Sequence, residues 1–196
     1  MAFQKELLKK KINFFNQFRY LKIINIGRLT DQKDHITLIK ALNLLKKEGI
    51  KFKLYLIGQG NNYNKINNLV NKYKLTNNIK LAGFKEKAYE YINSADLFIL
   101  TSKYEGLPNV LLEAQYLNKY IISTNCPTGP SEILLNGRAG DLFDVGDYRK
   151  LASIINKYKL NKKNISIKIR TGSKSFRRFD YFENCYKYYK FVSKNF

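Results

Sequence analysis

Glu105 and Glu113 frame the segment Glu105-Gly106-Leu107-Pro108-Asn109-Val110-Leu111-Leu112-Glu113. Pro108 suits a first helical turn, where its missing N–H costs little. That places Glu105 and Gly106 in a loop and Glu113 one to two turns into a helix. A strand, a glycine-bearing loop and a helix start expose unpaired backbone N–H groups and the positive end of the helix dipole, which suits an anion. A carboxylate cannot hold phosphate, but it accepts hydrogen bonds from sugar hydroxyls. The combination suits a molecule with both groups, such as a nucleotide sugar. Arg28 and Lys33 add the positive charge a diphosphate needs, Arg as a bidentate donor and Lys as a point charge.

These residues need a scaffold, and the apolar pattern describes one. Strands are expected at Leu21–Ile26, Lys53–Ile57, Ile79–Ala82, Asp96–Leu100, Tyr120–Ser123 and Asp141–Phe143. Between them, Leu38, Ile39, Leu42 and Leu45, and then Ile66, Leu69, Val70 and Tyr73, recur at helix spacing. The alternation predicts a single Rossmann-like α/β domain, a parallel sheet with helices on both faces. Loops after the strand C-termini line one edge of such a sheet, where these folds bind ligands. Arg28, Gly58, Gly83, Glu105 and Pro127 all fall on that edge. Gly27, Gly58 and Gly60 are expected to let the backbone approach a ligand. His35 reads as a surface helix residue, and Asn61 to Asn78 as an Asn-rich surface helix.

The order and spacing of several segments resemble family 4 of the retaining glycosyltransferases, which have the two-domain GT-B fold. The residues that carry the resemblance are Glu105-Gly106-Leu107-Pro108-Asn109 with Glu113-Ala114, Ile26-Gly27-Arg28-Leu29 with Lys33, Leu56-Ile57-Gly58-Gln59-Gly60, and Leu81-Ala82-Gly83-Phe84. Ser94–Ser102, Gly129–Leu134 and Gly137 with Gly140 continue it, so that it covers about Leu21 to Lys159. It implies that Arg28 and Lys33 contact the donor diphosphate and stabilise leaving-group charge, without a bound metal or other cofactor. It implies that Glu113 binds the ribose and that Gly83 and Phe84 flank the base, core packing being the equal alternative for Phe84. Glu105 is placed beside the donor sugar, where it positions hydroxyls or stabilises an oxocarbenium-like transition state; a helix-capping acid is its bland alternative. Gly106, Leu107 and Asn109 offer backbone N–H groups to the donor, and Gly27 belongs to its loop. Cys126–Glu132 resembles enzymes of bacterial surface-glycan assembly, with a UDP-linked donor and a glycan or lipid-linked acceptor.

Composition bounds the rest. At 196 residues and 44% apolar, the chain is long and apolar enough for one domain with a core. Two cysteines imply no disulfide framework, which favours a cytoplasmic setting. No apolar run is long enough to span a membrane, and Met1–Lys11 lacks the apolar centre of a signal peptide. The net charge of +21 concentrates at the ends, with twelve Lys and Arg from Lys157 onward against Asp180 and Glu183. It fits either a Lys- and Asn-rich genome or peripheral contact with an anionic membrane face. No nucleic-acid motif accompanies it.

The expected division is a basic N-terminal extension over 1–20, a nucleotide-sugar-binding domain over 21–160 and a basic C-terminal helical extension over 161–196. Leu7, Leu8, Ile12, Phe15 and Phe18 suggest an amphipathic helix in the first of these. The resemblance covers only the donor-binding, C-terminal half of a GT-B fold. The acceptor half is then expected on a separate chain, or the chain is a non-catalytic fragment that only binds nucleotide sugar.

Overall fold

The computed structural model describes Phe15, residues 20–158 and residues 160–195. The amphipathic helix expected before residue 20 lies outside the described residues, apart from Phe15, which is buried with its ring 5.8 Å from that of Tyr55.

Six parallel strands form one sheet: β1 (Leu21–Ile26), β2 (Phe52–Ile57), β3 (Ile79–Leu81), β4 (Leu97–Leu100), β5 (Tyr120–Thr124) and β6 (Asp141–Phe143). Their order is β3-β2-β1-β4-β5-β6. The central strands are apolar on both faces because helices cover both. On one face α1 (His35–Lys47), α2 (Tyr63–Lys72) and α6 (Tyr148–Lys157) bury Leu38, Leu42, Val70 and Leu151 against Ile23, Leu54 and Ile122. On the other, α3 (Ala88–Ser94), α4 (Asn109–Tyr116) and α5 (Pro130–Ile133) bury Ile92, Leu111 and Ile133 against Ile24, Phe98 and Ile121. The chain is thus a single α/β domain with helices on both faces of a parallel sheet, as the apolar pattern predicts.

The strand order reverses between β1 and β4, and there the ladder is short. β1 pairs with β2 along six residues, but with β4 only at Ile23 with Leu97 and Ile24 with Phe98. Asp96 anchors the start of this pairing by accepting the Lys22 N–H at 2.8 Å. Beyond it, the Ile99 carbonyl takes its hydrogen from the side-chain amide of buried Asn25, at 2.8 Å. A side chain replaces the main-chain partner where the two strands run on into separate loops. Ligands of doubly wound sheets sit at such a switch point.

The C-terminal part wraps the β6 edge. In α7 (Lys162–Ser175), Ile165 joins the first core; after it, Phe179 packs on the second and Phe176 lies 5.5 Å from Tyr116. Lys168 ion-pairs with Asp141 on the edge strand β6. Helix α8 (Tyr181–Asn195) follows, with Phe182, Tyr186, Tyr188, Tyr189 and Phe191 exposed.

One expectation changes. His35 is not a surface residue: it starts α1, is 2% exposed, and neither ring nitrogen has a hydrogen-bond partner among the described residues. The Asp34 N-cap, in the left-handed region at φ 42°, turns the chain inward just before it and accepts the Thr37 hydroxyl at 2.6 Å. Burial, helped by the Lys33 charge, holds the imidazole down to about 4 from its usual 6.5. The unfolded chain therefore takes up this proton at a higher pH than the folded one. The neutral ring is tolerated without loss above 6.5, and stability falls as pH drops from 6.5 toward 4, by about 1.4 kcal/mol per unit and about 3 kcal/mol in all. Denaturant unfolding at stepped pH should show this acid-side slope in the parent and a flatter one in His35→Leu; equal slopes would remove His35 from the account.

Candidate functional site

The loops after β1 and β4 meet across the switch point. The β1 loop carries Gly27, exposed Arg28, and a 3-10 turn at Asp31–Lys33. The β4 loop carries Ser102 to Leu107 and leads into α4. Lys33 Nζ lies 2.5 Å from Glu105 Oε1, with the two side chains only 15% and 7% exposed. The main chain supports the pair: Lys103 N–H donates to the Gln32 carbonyl at 2.8 Å, Gln32 Nε2 to the Tyr104 carbonyl at 3.0 Å, and Thr101 Oγ1 to the Lys33 carbonyl at 2.9 Å. Two residues far apart in the chain become one charged unit. Its carboxylate is not a helix cap: α4 starts after Pro108 with no side-chain cap, and Glu105 spends Oε1 on Lys33 and Ser102.

Neighbouring loops lock onto this pair. Gly58 N–H donates to the Gly83 carbonyl at 2.9 Å, and Gly27 N–H to the Ile57 carbonyl at 3.0 Å. Thr128 Oγ1 donates to the Glu105 carbonyl, and Thr124 Oγ1 to the Ser102 carbonyl at 2.7 Å. The glycines here let loop pack against loop, a close approach to protein backbone that the expectation for Gly58 and Gly60 did not include. At Gly58, φ 144°, an added Cβ would sit 1.9 Å from the Gly27 carbonyl oxygen, and at Gly60 it would sit 2.6 Å from that of Leu29. Gly27 faces the Lys33 stem. Gly106 and Gly83 have open space where a side chain would stand.

The other expected residues fall around the same edge. Arg28 has no ion-pair partner among the described residues, so its guanidinium is available to an anion. Phe84 is 67% and Leu107 50% exposed, so Phe84 is not core; with Gly83 it lies at the start of the loop after β3. Glu113 is more exposed than its core-like neighbours suggest, and it opens with Asn109 onto a second feature, a groove of about 650 Å³ walled by Tyr89, Leu112, Tyr116 and Phe179. These walls raise the Glu113 carboxyl above its ordinary value by desolvation. The structure therefore brings Lys33, Glu105 and Gly27 into contact, leaves Arg28 exposed on the same β1 loop, and sets Glu113 and Asn109 along a groove. Glu132 stays apart: it is exposed, and its carbonyl accepts Arg178 Nη2 at 3.1 Å. Asp31 faces Lys65 and Asn62, and Asp34 caps α1.

Asn25 and Ser102 are the site residues a reading of residue types passes over. An Asn inside an apolar strand was the available signal for the first, because a buried amide demands a partner. Ser102 carries no such signal, being an ordinary residue after a strand.

With this geometry in view, comparison with known proteins is informative. Residues 5–172 match the family model described as glycosyl transferases group 1. An uncharacterized glycosyltransferase of Methanocaldococcus jannaschii is 41% identical over 111 residues, covering 57% of this chain and 27% of that protein. The Campylobacter jejuni N-acetylgalactosamine-N,N'-diacetylbacillosaminyl-diphospho-undecaprenol 4-alpha-N-acetylgalactosaminyltransferase is 28% identical over 172 residues, covering 85% of this chain and 46% of that one. The crystal structure of Anabaena HepE in complex with UDP superposes with a TM-score of 0.85 at 20% identity, over 96% of this chain and 53% of HepE. The chain thus spans less than half the length of these two relatives.

The loop packing makes a sharp contrast between two glycines. Gly58→Ala should cost about 2–3 kcal/mol in denaturant unfolding, because it adds both strain and a backbone clash. Gly106→Ala should stay within about 0.5 kcal/mol of the parent. Equal effects would contradict the loop contacts described.

Proposed function

The chain belongs to the group 1 glycosyl transferases, and from that premise we propose that it is the donor-binding half of a hexosyltransferase that uses a UDP-linked sugar and retains the anomeric configuration. The observation that carries this reading is the Lys33–Glu105 pair at the switch point, with exposed Arg28 on the same loop and without an ion-pair partner among the described residues. In the proposed complex the diphosphate lies against Arg28 and Lys33, the sugar against Glu105 and the open space at Gly106, and the ribose against Glu113. Cleavage of the bond from the anomeric carbon leaves its electron pair on the diphosphate. Cations drawn to the bound diphosphate stabilise that charge as it develops. Glu105 faces the opposite, cationic side of the transition state.

The acceptor reading follows from what the donor half lacks. The chain spans less than half of its relatives, so a second body of chain supplies the acceptor side. The printed name of the Campylobacter relative specifies a diphospho-undecaprenol acceptor, and the net charge of +21 suits a lipid-linked glycan at an anionic membrane face. No helix among the described residues is long and apolar enough to cross a membrane.

Calorimetric titration of UDP tests the donor site. The parent should bind, and folded Arg28→Ala and Glu113→Ala variants should each bind about 1–3 kcal/mol more weakly, the worth of a charge-assisted hydrogen bond. A folded parent that binds neither UDP nor GDP would overturn the reading.

A further inference from the structure

We infer that Ser102 is a positioning residue that keeps Glu105 aimed at the donor sugar. The inference rests on the donor-site reading above and goes beyond it by separating sugar recognition from nucleotide recognition.

Ser102 is 0% exposed, so it cannot itself touch a ligand. Its Oγ donates to Glu105 Oε1 at 2.5 Å, the same oxygen that Lys33 Nζ holds at 2.5 Å. Glu105 Oε2 takes no hydrogen bond among the described residues and is the oxygen left for a sugar hydroxyl. The serine is itself fixed, because its carbonyl accepts Thr124 Oγ1 at 2.7 Å from β5, where Thr124 is also fully buried. The Glu105 carbonyl is held by Thr128. Serine and carboxylate are thus tied to the sheet through two strands.

The two donors on Oε1 differ in what donor binding does to them. Lys33 ends in a mobile point charge on a flexible stem, and an arriving diphosphate competes for it. Ser102 lies beneath Glu105, out of reach of the diphosphate. As Lys33 turns toward phosphate, the serine hydroxyl remains on Oε1 and holds Oε2 toward the sugar. Its loss should therefore weaken the hold on the sugar and leave the hold on the nucleotide intact. A residue that merely fills space under the loop would affect both ligands alike.

The test is calorimetry with UDP, UDP-glucose and UDP-N-acetylglucosamine on the parent, Ser102→Ala and Ser102→Thr, each checked for folding by its thermal melt. Ser102→Ala should raise the Kd of whichever UDP-sugar the parent binds by about tenfold, as expected for a lost hydrogen bond to a charged group. Its Kd for UDP should stay within about twofold of the parent. Ser102→Thr, which keeps the hydroxyl, should restore the parent ratio. If the alanine variant does not fold, Ser102→Cys takes its place, with a weak donor of similar size and a loss in the same direction. Equal weakening of UDP and UDP-sugar, or no change in either, would overturn the inference. So would a parent that binds UDP but neither UDP-sugar, while the nucleotide site stood. A parent that binds no UDP would overturn the donor-site reading, and the inference with it.

Discussion

The contact between Lys33 and Glu105 is the interaction on which the site depends. It joins the loops that leave β1 and β4, at the one place where the order of the strands reverses. A nearly buried carboxylate is costly unless it is paired and hydrogen-bonded. Lys33 and Ser102 supply both needs at a single oxygen. Without the pair, each loop would carry a desolvated charge, and the crevice would have no defined floor.

Around that pair, the structure removes freedom step by step. The short β1/β4 ladder opens the crevice, and Asn25 satisfies the carbonyl that the opening frees. Gly58, Gly60 and Gly129 let neighbouring loops approach more closely than any side chain permits. Hydroxyls from β5 and its loop then clamp the far side. The result is a continuous collar of loops, held by main-chain contacts and not by the ligand. A site of that kind is organised before anything binds, which lowers the ordering cost of binding.

The scaffold was legible in the sequence to a high degree. β1 and β6 run over the residues that the apolar runs predict, and the other four strands differ by a residue or so at an end. Parallel strands buried on both faces are short apolar runs bounded by loops, and that signal survives in a single sequence. The position of Lys33 and Glu105 on one edge was legible too, because every β-to-α loop of such a sheet opens on the same side. Their contact was not. His35 was misread for a related reason: a lone polar residue at a helix start looks solvated until the left-handed Asp34 turn is known to point it inward. Gly58 and Gly60 show the same limit. A glycine after a strand signals close approach, but the partner of that approach lies elsewhere in the chain, on the loop of Gly27 and Leu29.

What the sequence determined by itself is therefore the alternation of strands and helices, and the edge on which Arg28, Lys33, Glu105 and Glu113 fall. Periodicity is local, and it needs no knowledge of distant residues. The tertiary structure alone decided that Lys33 meets Glu105, that Ser102 lies beneath them, and that Glu113 opens onto a neighbouring groove. Those facts depend on which strands become neighbours and how far their ladders run. Both are set by packing over the whole sheet, across separations that no local pattern records.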